Sequence, residues 1–91
     1  MVTGIVLVNV ERPRLRQVIN DMMALEGVSE VYAVAGEYDL VVIIRVKTNA
    51  ELADIIATKM TRDIQGIVHA KTLVTLEAQA KVDLEQVFNL K

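Results

Sequence analysis

The sequence predicts a single α+β domain of order βαββαβ, with two helices on one face of an antiparallel sheet. Three observations predict it. Strand-like runs and helix-period stripes alternate in that order along the 91 residues. The helix-to-strand passage Leu25-Glu26-Gly27-Val28 returns as Ile64-Gln65-Gly66-Ile67, so the chain divides into two βαβ halves. Hydrophobic residues make up 53% of the chain, more than one small domain can hide, so one sheet face is expected to lie against a second copy.

The first strand is Val2 to Val10. Val2, Gly4, Val6, Val8 and Val10 point one way, and Thr3, Ile5, Leu7 and Asn9 the other. Pro13 suits a first helical turn. Leu15, Val18, Ile19, Met22 and Leu25 then form one helical stripe, which Gly27 ends. Val28 to Ala35 is the second strand and Leu40 to Lys47 the third, joined by the turn Gly36-Glu37-Tyr38-Asp39. Leu40, Val42, Ile44 and Val46 make an aliphatic face; Val41, Ile43, Arg45 and Lys47 make one that turns charged. Thr48 and Glu51 match a capping box that opens the second helix, striped by Leu52, Ile55, Ile56, Met60 and Ile64. Ile67 to Glu77 is the fourth strand. Two split βαβ units of this kind make a ferredoxin-like sandwich, and pairing through the sheet face makes a dimeric α+β barrel. Residues 1–77 form this body. Residues 78–91 are a tail whose Leu84, Val87 and Phe88 have helical spacing, with Asp83 as its cap, to dock on the body or on a neighbouring subunit.

Composition removes several function classes. Ten Lys+Arg against twelve Asp+Glu give a net charge of −2, which lacks the basic footprint of a nucleic-acid binder. Without cysteine there is no disulfide, thiolate metal site or cysteine nucleophile, as in a cytoplasmic protein. No apolar run approaches the about 18 residues of a membrane span. His69 is the single histidine, Ser29 has no glycine elbow, and the four glycines are scattered, so no metal, cofactor or catalytic set is expected and the chain is read as a non-enzyme. Met22, Met23 and Met60 are read as core, and Arg45, Lys47 and Lys71 as a solvated strand end or interface rim.

One segment concentrates recognition chemistry. Gly36, Glu37, Tyr38 and Asp39 put a flexible glycine, an aromatic and two carboxylates on one tight turn. Backbone N–H groups of such a turn can hold a carboxylate, and an acidic side chain can hold an ammonium; a free amino acid presents both. The same residues also make an ordinary hairpin loop, with Asp39 bonded to local backbone. Spacing does not choose between the two.

The element order, the run Val31 to Val46 (VYAVAGEYDLVVIIRV) and the run Ile64 to Glu77 (IQGIVHAKTLVTLE) resemble the effector-binding (RAM) domain of the Lrp/AsnC transcriptional regulators. The resemblance covers about Val2 to Glu77. It implies dimers of facing sheets that close into rings, commonly octamers, with a free amino acid held between neighbouring dimers. It places the binding residues at Gly36, Glu37, Tyr38 and Asp39, and more loosely at Thr72. Regulators of this family begin with a helix-turn-helix domain, whereas here the first strand starts at Val2. The expectation is an effector domain without its own DNA-binding part, an indirect modulator of transcription or amino acid metabolism that co-assembles with full-length Lrp/AsnC regulators. Two other readings remain: a ligand-free assembly module, and a small dimeric barrel enzyme, which would need a cavity lined by His69, Asn9 and Tyr32.

Overall fold

A computed structural model describes residues 1–89. Strand β1 (Val2–Val10) leads through a 3-10 turn at Arg12–Arg14 into helix α1 (Leu15–Met23). Strands β2 (Val28–Ala33) and β3 (Leu40–Val46) follow. Helix α2 (Asn49–Asp54) passes through a π-turn at Ile55–Lys59 into α3 (Met60–Asp63), then come strand β4 (Ile67–Val74) and the short helix α4 (Leu84–Val87). The sheet has the order β2-β3-β1-β4, and the described pairings are antiparallel. This is the α+β, ferredoxin-like arrangement that the patterning predicts.

The alternation along each strand decides where the core sits. Val6 lies opposite Val42, and Val8 opposite Leu40, and all four are fully buried beneath the helices. Val18 and Met22 descend on them from α1; Leu52, Ile55, Met60 and Ile64 descend from the second helical segment. Gly4 makes room for the latter, because a Cβ there would meet Leu52 Cδ1 at 2.7 Å. Burying a side chain of this size contributes roughly 1.5–3 kcal/mol, so this shared layer is the main source of stability.

Thr48 caps α2 by accepting from Glu51 N–H at 3.1 Å, as the capping box predicts. The spacing of the buried residues then explains the π-turn. Leu52 and Ile55 lie three apart, but Met60 follows only after five more residues. An uninterrupted α-helix would set Met60 about 140° round from Ile55, at the margin of the core face. The wider turn, in which Met60 N–H donates to Ile55 O, absorbs one residue and returns Met60 to it.

Four local expectations are corrected. β2 ends at Ala33 rather than Ala35, because Val34 N–H turns back to donate to Asp39 O at 2.9 Å and closes the loop. β4 ends at Val74 rather than Glu77. Its ladder with β1 stops at Gly4 opposite Val74, and the last link is Thr75 N–H to Thr3 O at 3.0 Å. Met23 is 49% exposed, since it stands one residue round the helix from Met22 and misses the core stripe. Arg45 is not a solvated strand end. Only 15% of its side chain is exposed, and its guanidinium carbon lies 4.4 Å from the centre of the Phe88 ring. Phe88 directly follows α4, whose N-cap Asp83 accepts from Gln86 N–H at 3.2 Å.

The opposite sheet face carries no helix of the body. Ile43, Ile5 and Leu73 form one cross-strand row on it, and Val41, Leu7 and Lys71 the next. Leu73 is 45% and Tyr32 51% exposed. The accessible surface of 6051 Å² exceeds the roughly 5,300 Å² that scaling gives a compact monomer of this mass, as a bare face and an outlying tail require.

Candidate functional site

The turn between β2 and β3 is held from one side and open on the other. Asp39 does the holding. Its N–H donates to Val8 O at 2.9 Å, and its Oδ2 accepts from Val10 N–H at 2.9 Å. These bonds lie just beyond Val8 and Leu40, the last pair of the β1/β3 ladder. Asp39 thus supplies an acceptor to the Val10 N–H, which that ladder no longer engages.

The rest of the turn faces outward. Gly36 has φ +146°, a conformation that disfavours a side chain, and a Cβ there would meet nothing within 4 Å. Gly36 and Glu37 are exposed, and Tyr38 and Asp39 half-buried. Among the described residues, no hydrogen bond engages the N–H groups of Gly36, Glu37 or Tyr38, and no ion pair engages Glu37.

Tyr38 extends the turn across the end of β1 to β4. Its ring stacks on that of His69, with centroids 6.3 Å apart and planes 22° from parallel. His69 stands opposite Asn9 on the sheet face away from the helices. An open turn, a free carboxylate and an aromatic-imidazole pair therefore share one corner of the sheet. Sequence reasoning set His69 aside. Its link to Tyr38 depends on the β1/β4 register, for which no local sequence signal exists.

Thr72 is placed elsewhere. It opposes Val6 on the helix-facing side, whereas the turn bonds to Val8 and Val10 and His69 lies on the other side. Within one copy the structure does not bring Thr72 to the turn. None of the cavities described is lined by His69, Asn9 and Tyr32 together. Among the described residues no cluster of three or more His, Asp or Glu has metal-binding geometry, and no helix is long and apolar enough to cross a membrane.

Comparison with known proteins sets this geometry in a family. The chain is 34% identical over 62 residues to an uncharacterised HTH-type transcriptional regulator, PYRAB16920, of Pyrococcus abyssi. That match takes in 68% of this chain and spans 41% of the relative's length. Among solved structures it resembles TTHA0845 from Thermus thermophilus, with a TM-score of 0.81 and 31% identity, over 89% of this chain and 100% of that one. A transcriptional regulator from Neisseria meningitidis, NMB0573, solved as an L-Met complex, shares the fold with a TM-score of 0.71 at 11% identity, over 94% of this chain and 58% of that one. The family model for the Lrp/AsnC ligand-binding domain matches residues 3–82, and the chain belongs to that family.

Proposed function

We propose that the chain is an amino-acid-binding effector domain that works as an oligomer and modulates transcription through partner chains. The turn carries this reading. Gly36, Glu37 and Tyr38 present unengaged N–H groups and a free carboxylate beside an aromatic pair, in a domain of the ligand-binding family. The N–H groups suit the ligand's carboxylate and Glu37 its ammonium, while Asp39 holds the loop in shape through Val10. An L-Met complex in a protein of the same fold points to the same ligand class. Thr72 completes such a site only if a neighbouring copy presents it, as in an assembly of dimers. The row Ile43, Ile5 and Leu73 supports a dimer through the sheet face. Residues 1–77 form the effector body and 78–91 the tail. With a net charge of −2, DNA would be reached through full-length Lrp/AsnC regulators that co-assemble with it.

A ligand-free assembly module is the second reading, and Asp39 favours it, since its Oδ2 is already engaged by Val10 N–H. Titration with the twenty amino acids, followed by thermal unfolding and sedimentation, separates the two. A ligand at about 100 times its dissociation constant adds about 2.7 kcal/mol to the folded state. The effector reading expects a raised Tm for a few related amino acids, lost in Glu37→Gln and Tyr38→Ala at unchanged basal Tm. No response to any amino acid at millimolar concentration sinks it and leaves the assembly module.

A further inference from the structure

Strand β4 is an edge of the sheet, and among the described residues no strand pairs its outer side. Thr75 N–H donates inward to Thr3 O at 3.0 Å. Alternate residues of an antiparallel ladder turn their backbone groups the same way, so those of Thr75, Leu73 and Lys71 face β1. Those of Val74, Thr72 and Ala70 face outward, an unpaired row that can take another strand. The helix-facing side of this edge is apolar and underfilled. A hollow of about 200 Å³ is lined by Ala70, Ile56 and Met60. A second, of about 450 Å³, is lined by Val74, Ala53, Ile56 and Ala57. Ile56 belongs to both, so the two adjoin along β4.

The segment after β4 has the pattern of a strand without being one. Leu76, Ala78, Ala80 and Val82 alternate with Glu77, Gln79 and Lys81, the period of a strand with one apolar face. Residues 75–83 form neither helix nor strand, and the chain bends at Leu76. All four apolar residues of the row are exposed, Leu76 completely. One copy thus has an uncovered apolar row and an unpaired strand edge with apolar hollows beside it.

We propose that residues 76–82 of a second copy add as a strand to the β4 edge, antiparallel and centred on Thr75, so that each copy receives the segment of the other. Val74 then meets Leu76 of the second copy, Thr72 meets Ala78, and Ala70 meets Ala80. Once the segment is extended, Leu76, Ala78 and Ala80 turn their backbone groups the same way as Val74, so both strands offer hydrogen bonds to the shared edge. Their side chains fall on the helix-facing side, toward the two hollows. On the other side Glu77 of the second copy comes diagonal to Lys71, within reach of a long side chain. Straightening the segment lifts α4, whose tethers are slight. The Met1 amine meets the exposed Glu85 carboxylate at 3.6 Å, and Phe88 lies on Arg45. This edge contact uses neither the turn nor the central rows of the sheet face. A chain with two-fold contacts at both edge and face assembles beyond a dimer.

The chain has no cysteine, so one introduced thiol reports the pairing cleanly. Thr75 would face its own copy as a non-hydrogen-bonded pair, with Cα atoms about 4.5 Å apart, close enough for a disulfide. Oxidised Thr75→Cys is expected to give a covalent dimer at micromolar concentration, and Gln17→Cys, on the exposed side of α1, is not. Adding Leu76→Lys, which replaces a side chain that one copy leaves in water, should cut the yield at least tenfold. Adding Ile43→Lys, on the sheet face, should leave it unchanged. A yield no higher than that of Gln17→Cys overturns the proposal, as does one indifferent to Leu76→Lys or abolished by Ile43→Lys. Amide exchange in the wild type keeps the test decisive if Thr75→Cys does not fold. Val74, Leu76 and Ala78 should exchange at least tenfold more slowly at high than at low protein concentration, and exchange independent of concentration overturns the pairing.

Discussion

Replacing Asp39 by alanine removes the acceptor that Val10 N–H meets at 2.9 Å and leaves that partly buried donor unpaired. A hydrogen bond to a charged group is worth about 1.5–3 kcal/mol, and an orphaned donor costs a comparable amount. Asp39→Ala is expected to lower stability by about 2 kcal/mol, a fall in Tm of roughly 8–16 °C for a domain this size. Asp39→Asn keeps an oxygen in place and should recover more than half of the loss. Equal Tm values for wild type and Asp39→Ala in a calorimetric scan would show that the bond contributes nothing. Tyr32 offers a second check. Its hydroxyl donates to Glu30 Oε1, and that hydrogen bond, reinforced by the negative charge of Glu30, raises its pKa above the ordinary tyrosine value. Raising favours the neutral phenol in the folded state, so this contribution is present below the ordinary tyrosine pKa. It is lost as pH rises through the raised value. Absorbance titration should show a late-ionising phenol that vanishes in Tyr32→Phe and moves to lower pH in Glu30→Gln. A late phenol that persists in Tyr32→Phe refutes the assignment.

At the scale of elements, the π-turn makes a sharp forecast. It exists because Ile55 and Met60 both reach the core across a five-residue gap. Deleting Ala57 shortens that gap to four, which an ordinary α-helix spans with both ends still on the core face. The deletion should therefore fold, with Tm within a few degrees of wild type. Deleting Gln17 from α1, which has no such slack, rotates Met22 by roughly 100° away from Val6 and Val42 and should unfold the domain. If both deletions unfold, the π-turn is not a spare residue. The same helices show why some elements were legible in the sequence and others less so. Thr48, Glu51, Gly27 and the apolar stripes act through neighbours a few residues away, so local pattern reveals them. The ends of β2 and β4 depend on where a distant partner strand stops, and β1 stops pairing β4 at Gly4. The π-turn was visible as the odd spacing of Ile55 and Met60, but Ile56, half-buried beside them, masked the gap. For the candidate site, the turn itself was legible. The contact of Tyr38 with His69 and of Phe88 with Arg45 joins residues far apart in the chain, and only tertiary register creates them.

At the scale of the whole molecule, the sheet decides what the chain can do. One face is spent on the helices. The other carries half-buried Ile43 and Ile5 with exposed Leu73 in one row and half-buried Val41 and Leu7 in the next, flanked by exposed Tyr32. A continuous aliphatic patch is unfavourable in water at about 25 cal/mol per Å² of apolar area, a cost that the proposed second copy, placed sheet to sheet, would remove. Phe88 covers the Arg45 end of this face. Ile43→Lys puts a charge between Glu30 and Ile5, near the middle of the patch. Within a monomer that lysine is solvated and cheap, and its ammonium lies beside the Glu30 carboxylate. Across a dimer it must be desolvated against apolar groups, which costs several kcal/mol. Sedimentation velocity at micromolar concentration should show wild type as a dimer or larger and Ile43→Lys as a folded monomer with unchanged far-ultraviolet circular dichroism. Lys71→Glu, at the edge-strand end of the second row, changes a charge without replacing an apolar side chain and should leave assembly intact. A wild-type monomer at high micromolar concentration would mean that the face is tolerated bare. It would also remove the neighbouring copy that Thr72 needs in order to contribute to a site.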